Sequence, residues 1–408
     1  MKSVIRLLFA LAIFCAAPAV AETMREAVLR QAALDNGLRP AEELWPEFEP
    51  DKAVAGKLLF ESELLSLTRN VSCRNCHLDE FGSADGLPLG HGAGGVGTGI
   101  ERMKSPAGVL SRNALALWGR GGVGFDVFFW DGRVDASSGS VLSQFGAMVP
   151  SSDPLVVAAH LPTVEFREMI GESDETEWLR QGNVTAAAQV HQEIAGRIIA
   201  TPEIADSMAE AFDLDVAELT YLQIAEAIAA FIRSEFRLRD TKLHRFVFGG
   251  QELTGQELAG GLLFYGRGQC SSCHSGPYFS DFGFHAIPFA QFGFGFNGFG
   301  IDYGRYNFTQ DPQDRYAFRT PPLFNVTKTA PFSHSGVEPD LAGAIRAHVD
   351  PLAKIDTSKL SPLERAEIYQ KIARWSQEPS YAVELNERDI LDLVAFLSTL
   401  EFDPEAEQ

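Results

Sequence analysis

The sequence predicts a mainly α-helical protein made of two similar halves, and three observations lead there. The first is a repeated motif: Cys73-Arg74-Asn75-Cys76-His77 and Cys270-Ser271-Ser272-Cys273-His274 share the pattern CxxCH. The second is the stretch ahead of each, "AGKLLF" at 55–60 and "AGGLLF" at 259–264, an apolar helix face leading into the motif. The third is how each half closes. Ile224 to Phe236 and Glu387 to Leu400 carry apolar residues at three- and four-residue steps, the period of a helix buried on one side.

In CxxCH the two thiols add to the vinyl groups of a haem as thioethers, and the adjacent histidine is carried under the ring to coordinate iron. A redox CxxC needs no histidine after it, and paired zinc knuckles lie about 15–20 residues apart. These pairs are 197 residues apart, 270 less 73. The reading is two cytochrome c-like domains, 22–248 and 249–408, each with one covalently attached c-type haem. Cys73, Cys76 and His77 hold the first; Cys270, Cys273 and His274 hold the second. The junction falls around Arg237 to Gly250, before Thr254 and Glu257, a capping-box start for the next helix.

Residues 1–21 read as a secretory signal peptide. Lys2 and Arg6 lead an apolar run from Leu7 to Ala17, and Ala19-Val20-Ala21 offers small residues for cleavage after Ala21. The expected location is the periplasm. A lipid anchor on Cys15 is disfavoured by Phe14 just before it. Without the leader four cysteines remain, all in the two motifs. No later run approaches the roughly 18 apolar residues that a membrane span needs. Removing Lys2 and Arg6 from 34 Lys+Arg leaves 32 against 55 Asp+Glu, a net charge of −23. That balance excludes nucleic acid as a partner, and suits a basic partner or plain solubility.

A sixth iron ligand must come from Met, His or Tyr. The methionines are Met1, Met24, Met103, Met148, Met169 and Met208, so none follows the second CxxCH. There His348 is favoured, because Leu341, Ile345 and His348 share a helical face in "LAGAIRAHVDP"; His285, His334, Tyr303 and Tyr306 are the other candidates. His285 and His334 also suit a supporting role, as partners of haem propionates. For the first haem, His91 lies in the glycine-rich run "GLPLGHGAGGVG", where a loop can place it over iron or swing it away. The patterns at Gly90–Gly95 and Gly293–Gly298 match GxGxxG, but neither joins a strand to a helix, so both read as loops rather than nucleotide sites.

Taken in order, CxxCH, "LGHG", "FFWDGR" (128–133), the second CxxCH, "GPYFSDFGFH" (276–285), "FRTPPLFNV" (318–326) and "TAPFSHSG" (329–336) resemble the bacterial di-haem cytochrome c peroxidases, a superfamily that includes the methylamine-utilisation enzyme MauG. The resemblance implies that the first haem meets hydrogen peroxide and the second receives electrons. Trp130 matches the relay between them, Phe129 the residue lining the peroxide pocket, and His91 the peroxidases' removable ligand. Gln144 matches a pocket glutamine. His348 stands where the peroxidases have Met and MauG has Tyr.

Other departures concern the acid and calcium. No Glu occurs from Arg102 to Val164, which leaves Asp153 as the nearest acid. The family's calcium site is matched at Thr320 and Pro322, but Lys104 stands where an Asn ligand belongs and opposes a cation. The expected activity is peroxide reduction, with electrons from a small cytochrome or cupredoxin. The alternatives are a MauG-like oxidase acting on Tyr or Trp of a partner protein, and a non-enzymatic di-haem carrier. The resemblance leaves a homodimer open.

Overall fold

A computed structural model describes residues 17–172, 176, 184–291, 295, 300–353, 355 and 357–402. Residues 1–16 of the expected leader, and most of the Gly/Phe run at 292–299, lie outside them. The helices are α1 Ala17–Asp35, α2 Pro50–Glu61, α3 Pro154–His160, α4 Val184–Ile199, α5 Pro202–Phe212, α6 Tyr221–Glu235, α7 Lys242–Gly249, α8 Gly255–Tyr265, α9 Tyr306–Thr309, α10 Leu341–Val349, α11 Pro362–Trp375 and α12 Glu387–Ser398. Sheet is minor. β1 Val127–Phe128, β2 Val134–Asp135 and β3 Leu142–Ser143 form an antiparallel meander, and β4 Phe284–His285 pairs with β5 Phe318–Arg319. Among the described residues no helix is long and apolar enough to cross a membrane.

The sequence repeat becomes a structural repeat. "AGKLLF" lies on α2, which packs on α6, and "AGGLLF" lies on α8, which packs on α12. The matched glycines are the crossing points. A Cβ on Gly56 would sit 1.9 Å from the Ala227 carbonyl oxygen, and one on Gly260 would sit 1.8 Å from that of Asp392. Only glycine lets two helix backbones approach so closely. One turn along, Phe60 meets Phe231 at 5.0 Å between ring centres and Phe264 meets Phe396 at 5.1 Å. The capping box expected at Thr254 and Glu257 starts α8, where the threonine side chain accepts from Glu257 N.

Spatial order departs from sequence order at two helices. α1 and all of α7 but its last residue precede residue 249, yet both pack towards the second half. Leu29 of α1 lies against Gly261 of α8, Arg30 donates to the Phe246 carbonyl, and Leu243 N of α7 donates to Thr399 O (3.1 Å). A chain-order boundary could not reveal this, because the apolar residues of a helix say that a face is buried, not against which core.

The halves are also joined through buried charge. Arg112 donates to Asp131 (2.7 Å) and, through two nitrogens, to Asp302 (2.7 and 2.9 Å). Arg319 of β5 donates from its backbone N to Trp130 O (2.8 Å) and from Nε to Phe129 O (2.9 Å). The second half therefore grips the "FFWDGR" turn of the first.

Candidate active site: two cavities that share a tryptophan

Each CxxCH loop opens on a cavity. The first, of about 560 Å³, is lined by Cys73, Cys76 and His77 and by Asp85, Arg112, Arg120, Phe129, Trp130, Arg133, Gln144, Glu165 and Glu168, among others. The second, of about 240 Å³, is lined mainly by apolar groups together with Cys270, Cys273, His274, His285, Arg319, His334 and His348. Trp130 and the segment Asn113–Leu115 line both. The indole N–H of Trp130 donates to Asn113 O (2.9 Å), which fixes the ring between the cavities.

The donor set fits covalent haem. Nδ1 of His77 bonds Ser83 O (2.8 Å), that of His274 bonds Phe279 O (3.0 Å) and that of His348 bonds Ala344 O (2.8 Å). Each ring thereby keeps Nε2 for a metal, held in one tautomer by its backbone partner. Burial drives the His77 and His274 pKa values down to about 4, so both imidazoles stay neutral, as ligation requires. His274 and His348 face each other with ring centres 6.4 Å apart. Two metal–imidazole bonds of about 2 Å, plus about 1 Å from each nitrogen to its ring centre, span about 6 Å. Each cavity also holds a buried guanidinium with no carboxylate partner among the described residues. Arg120 donates to Ala116 O, and Arg319 to Phe129 O and Thr320 O. Such cations call for acidic groups, and haem propionates are that.

Calcium does not fit. The Thr320 carbonyl already accepts from Ser280 Oγ at 2.6 Å and faces Arg319 Nη1 at 3.4 Å, while Lys104 is exposed. A guanidinium stands against the very oxygen a cation would need.

The expected site residues divide. Phe129, Trp130 and Gln144 line the first cavity, and His285, His334 and His348 the second. Phe129 has a φ of 65°, an unfavourable left-handed backbone for an aromatic residue that aims its ring at the cavity. His91 does not join them. Its ring bonds Leu89 O (2.9 Å) and its loop is fastened by the buried Arg102, which donates to the carbonyls of His91, Gly92 and Gly97. A cation bonding three carbonyls holds the loop aside, so the expectation of His91 over iron is not met here. Asp153 is likewise elsewhere: it caps α3 and pairs with Arg233 at 2.7 Å. Tyr303 packs on Tyr306 and on Tyr316, and neither Tyr303 nor Tyr306 is among the residues lining the second cavity.

His285 is clamped on both ring nitrogens, by Asp281 and Glu378 at 2.8 Å each. Burial opposes its charge, but hydrogen bonds to Asp281, Cys273 and Glu378 outweigh it and raise the pKa to about 12, which favours the cation. Both nitrogens being taken, it is not a sixth ligand. His334 is stacked on Phe318 at 3.7 Å. Its Nε2 is buried without a partner among the described residues, and burial lowers its pKa to about 3.

Sequence reading missed Glu168. It lies on a single π-helical turn, Phe166–Ile170, just past the window in which glutamate was sought. The carboxyl lines the first cavity and forms no ion pair among the described residues. Burial, reinforced by Glu165 and only partly offset by Arg133, raises its pKa to about 8.

Comparison with known proteins decides the family. Its sequence profile, described as di-haem cytochrome c peroxidase, matches residues 50–252. The chain belongs to the di-haem cytochrome c peroxidase family, whose members are oxidoreductases. Relatives include the methylamine utilization protein MauG of Methylorubrum extorquens, 27% identical over 88% of this chain and 80% of that protein. Another is the cytochrome c551 peroxidase of Nitrosomonas europaea, 24% identical over 91% of this chain and 86% of that protein. The diheme peroxidase BthA from Burkholderia thailandensis shares the fold, with a TM-score of 0.61 at 22% identity over 87% of this chain and 86% of that one.

Proposed function

We propose that the protein is an exported di-haem peroxidase of two cytochrome c-like units, 22–248 and 249–408, that reduces hydrogen peroxide to water in its first cavity. One observation carries the reading. The second cavity presents two facing imidazoles, His274 and His348, whereas His77 is the one histidine among the residues lining the first, which also carries Glu168, Gln144 and Arg133. A haem bound at His77 supplies the iron that binds and reduces peroxide.

The chain supplies the rest. Glu168 holds a proton at neutral pH and gives it to the departing oxygen, the acid role that hydroperoxide cleavage demands. Gln144 and Phe129 orient peroxide and limit the space around it. Arg120 and Arg319 anchor the propionates. Trp130, which lines both cavities, carries electrons between them. His348 and His274 would together hold the second iron, and a second histidine in place of methionine would give it a lower potential. Electrons come from a small periplasmic cytochrome or cupredoxin, and the acidic chain favours a basic one.

A second reading, a MauG-like oxidase of Tyr or Trp on a partner protein, is favoured by that same histidine. A lower potential at the second site supports a more oxidised state. The two readings separate on one experiment with holoprotein, peroxide and a reduced small basic cytochrome c. Catalytic oxidation of the cytochrome that weakens as salt rises is the expected result. Peroxide consumption that the cytochrome does not accelerate would favour the oxidase, and no peroxide consumption would defeat both.

A further inference from the structure

Trp375 and Tyr381 are not accounted for by the peroxide site. Trp375 closes α11 and is 7% exposed, yet its indole N–H donates to the backbone carbonyl of His348 (3.1 Å) and to Ser380 Oγ (3.0 Å). Tyr381 is 49% exposed and rests edge-on against that indole, with ring centres 4.9 Å apart and planes at 76°. The intervening segment belongs to the second cavity, because Glu378, Pro379 and Ser380 line it. Two oxidisable aromatic rings and one hydrogen bond therefore lead from solvent to the residue that faces His274 across the second cavity. Trp130 joins that cavity to the first; Trp375 joins it to the surface.

We propose that Tyr381 and Trp375 form a radical port at the second site, where phenolic reductants deliver electrons one at a time. The proposal rests on the peroxidase reading and adds to it the place and chemistry of reductant oxidation. After peroxide has been reduced, Tyr381 sends one electron inward through Trp375 and releases its phenolic proton to water. The tyrosyl radical then takes a hydrogen atom from an external phenol, which restores Tyr381 and leaves a phenoxyl radical. When a phenol takes the place of the small redox protein as reductant, two such events supply the two electrons and two protons that turn one hydrogen peroxide into two waters. Exchange between two phenols is close to thermoneutral, which suits a tyrosine at the exit. The buried indole, with its N–H held by His348 O and Ser380 Oγ, keeps its proton and passes only the electron. The phenol can be a free small molecule or the tyrosine of a peptide.

The test uses the holoprotein, one equivalent of peroxide, freeze-quench electron paramagnetic resonance, and spin trapping with mass spectrometry to locate the radical. The wild type is expected to give a tyrosyl signal and a trap adduct on Tyr381. Both should vanish in Tyr381→Phe, whose haem spectra and peroxide reaction remain unchanged because the ring still packs on Trp375. Trp375→Phe should also lose the adduct while Tyr381 is present, which separates the relay from the exit. Turnover with guaiacol and with a synthetic tyrosine peptide, compared in wild type and Tyr381→Phe, tells a small phenol from a protein side chain. An undiminished tyrosyl signal in Tyr381→Phe, or phenol turnover unchanged with both reductants, would overturn the port alone. A wild type that does not react with peroxide would overturn the peroxidase reading, and the port with it.

Discussion

The two cavities are built from one plan and finished differently. In each, a glycine-crossed helix pair leads into CxxCH, and a backbone carbonyl fixes the histidine ring. They part company at the segment laid opposite. The second receives α10, whose His348 brings a second imidazole within 6.4 Å of the first. The first receives the π-turn bearing Glu168, the "FFWDGR" turn and Gln144, while Arg102 holds the His91 loop aside. The two cavities thus differ in what faces the motif rather than in the motif itself.

The largest way to break the comparison is to disarm the first cavity. Glu168→Gln should lower peroxide turnover by about 10²–10⁴, the usual contribution of a positioned acid or base, with the second haem's spectrum unchanged. Because the Glu168 pKa is raised to about 8, the donating form is present below that value and lost as pH rises through it. Stopped-flow rates in the wild type should fall above about pH 8, a limb that Glu168→Gln removes. Next comes the shared plan. A methyl group on Gly56 or Gly260 would meet a carbonyl oxygen at under 2 Å, so either Ala substitution should destabilise by about 1–3 kcal/mol or more in denaturant melts of the holoprotein. Equal losses in both would support the repeat; loss in one alone would break it.

His348→Met should raise the midpoint potential of the second haem and leave the first untouched, which a spectroelectrochemical titration reads directly. The smallest effect is expected of His91→Gly. With its ring outside the cavity, the change should leave the resting spectrum of the first iron intact and move stability by no more than about 0.5 kcal/mol.

How much of this was legible beforehand follows the same division. The CxxCH loops, the paired helices and the helical face that carries His348 could be read because each rests on local spacing, either a motif or a helical period, whereas Trp130 came only from the resemblance carried by "FFWDGR". Glu168 could not. The chain leaves Gln144, forms α3, and only then returns to the cavity on a π-turn, so spacing from Trp130 gives no hint of the contact. His91 was misplaced for a related reason. A glycine-rich run looks free in sequence, while the arginine that holds it, Arg102, sits eleven residues on and reveals itself only through the three carbonyls it bonds. The positions of α1 and α7 against the second half were hidden because amphipathicity says that a face is buried, not against what.

On the proposed function, one iron is open and the other closed. Low-temperature electron paramagnetic resonance of the fully oxidised holoprotein tests it most directly. One high-spin ferric signal is expected, from the iron held by His77 alone, and one low-spin signal from the pair His274 and His348. Two low-spin signals of equal intensity would contradict it, because a side chain such as His91 would then have to fill the first site.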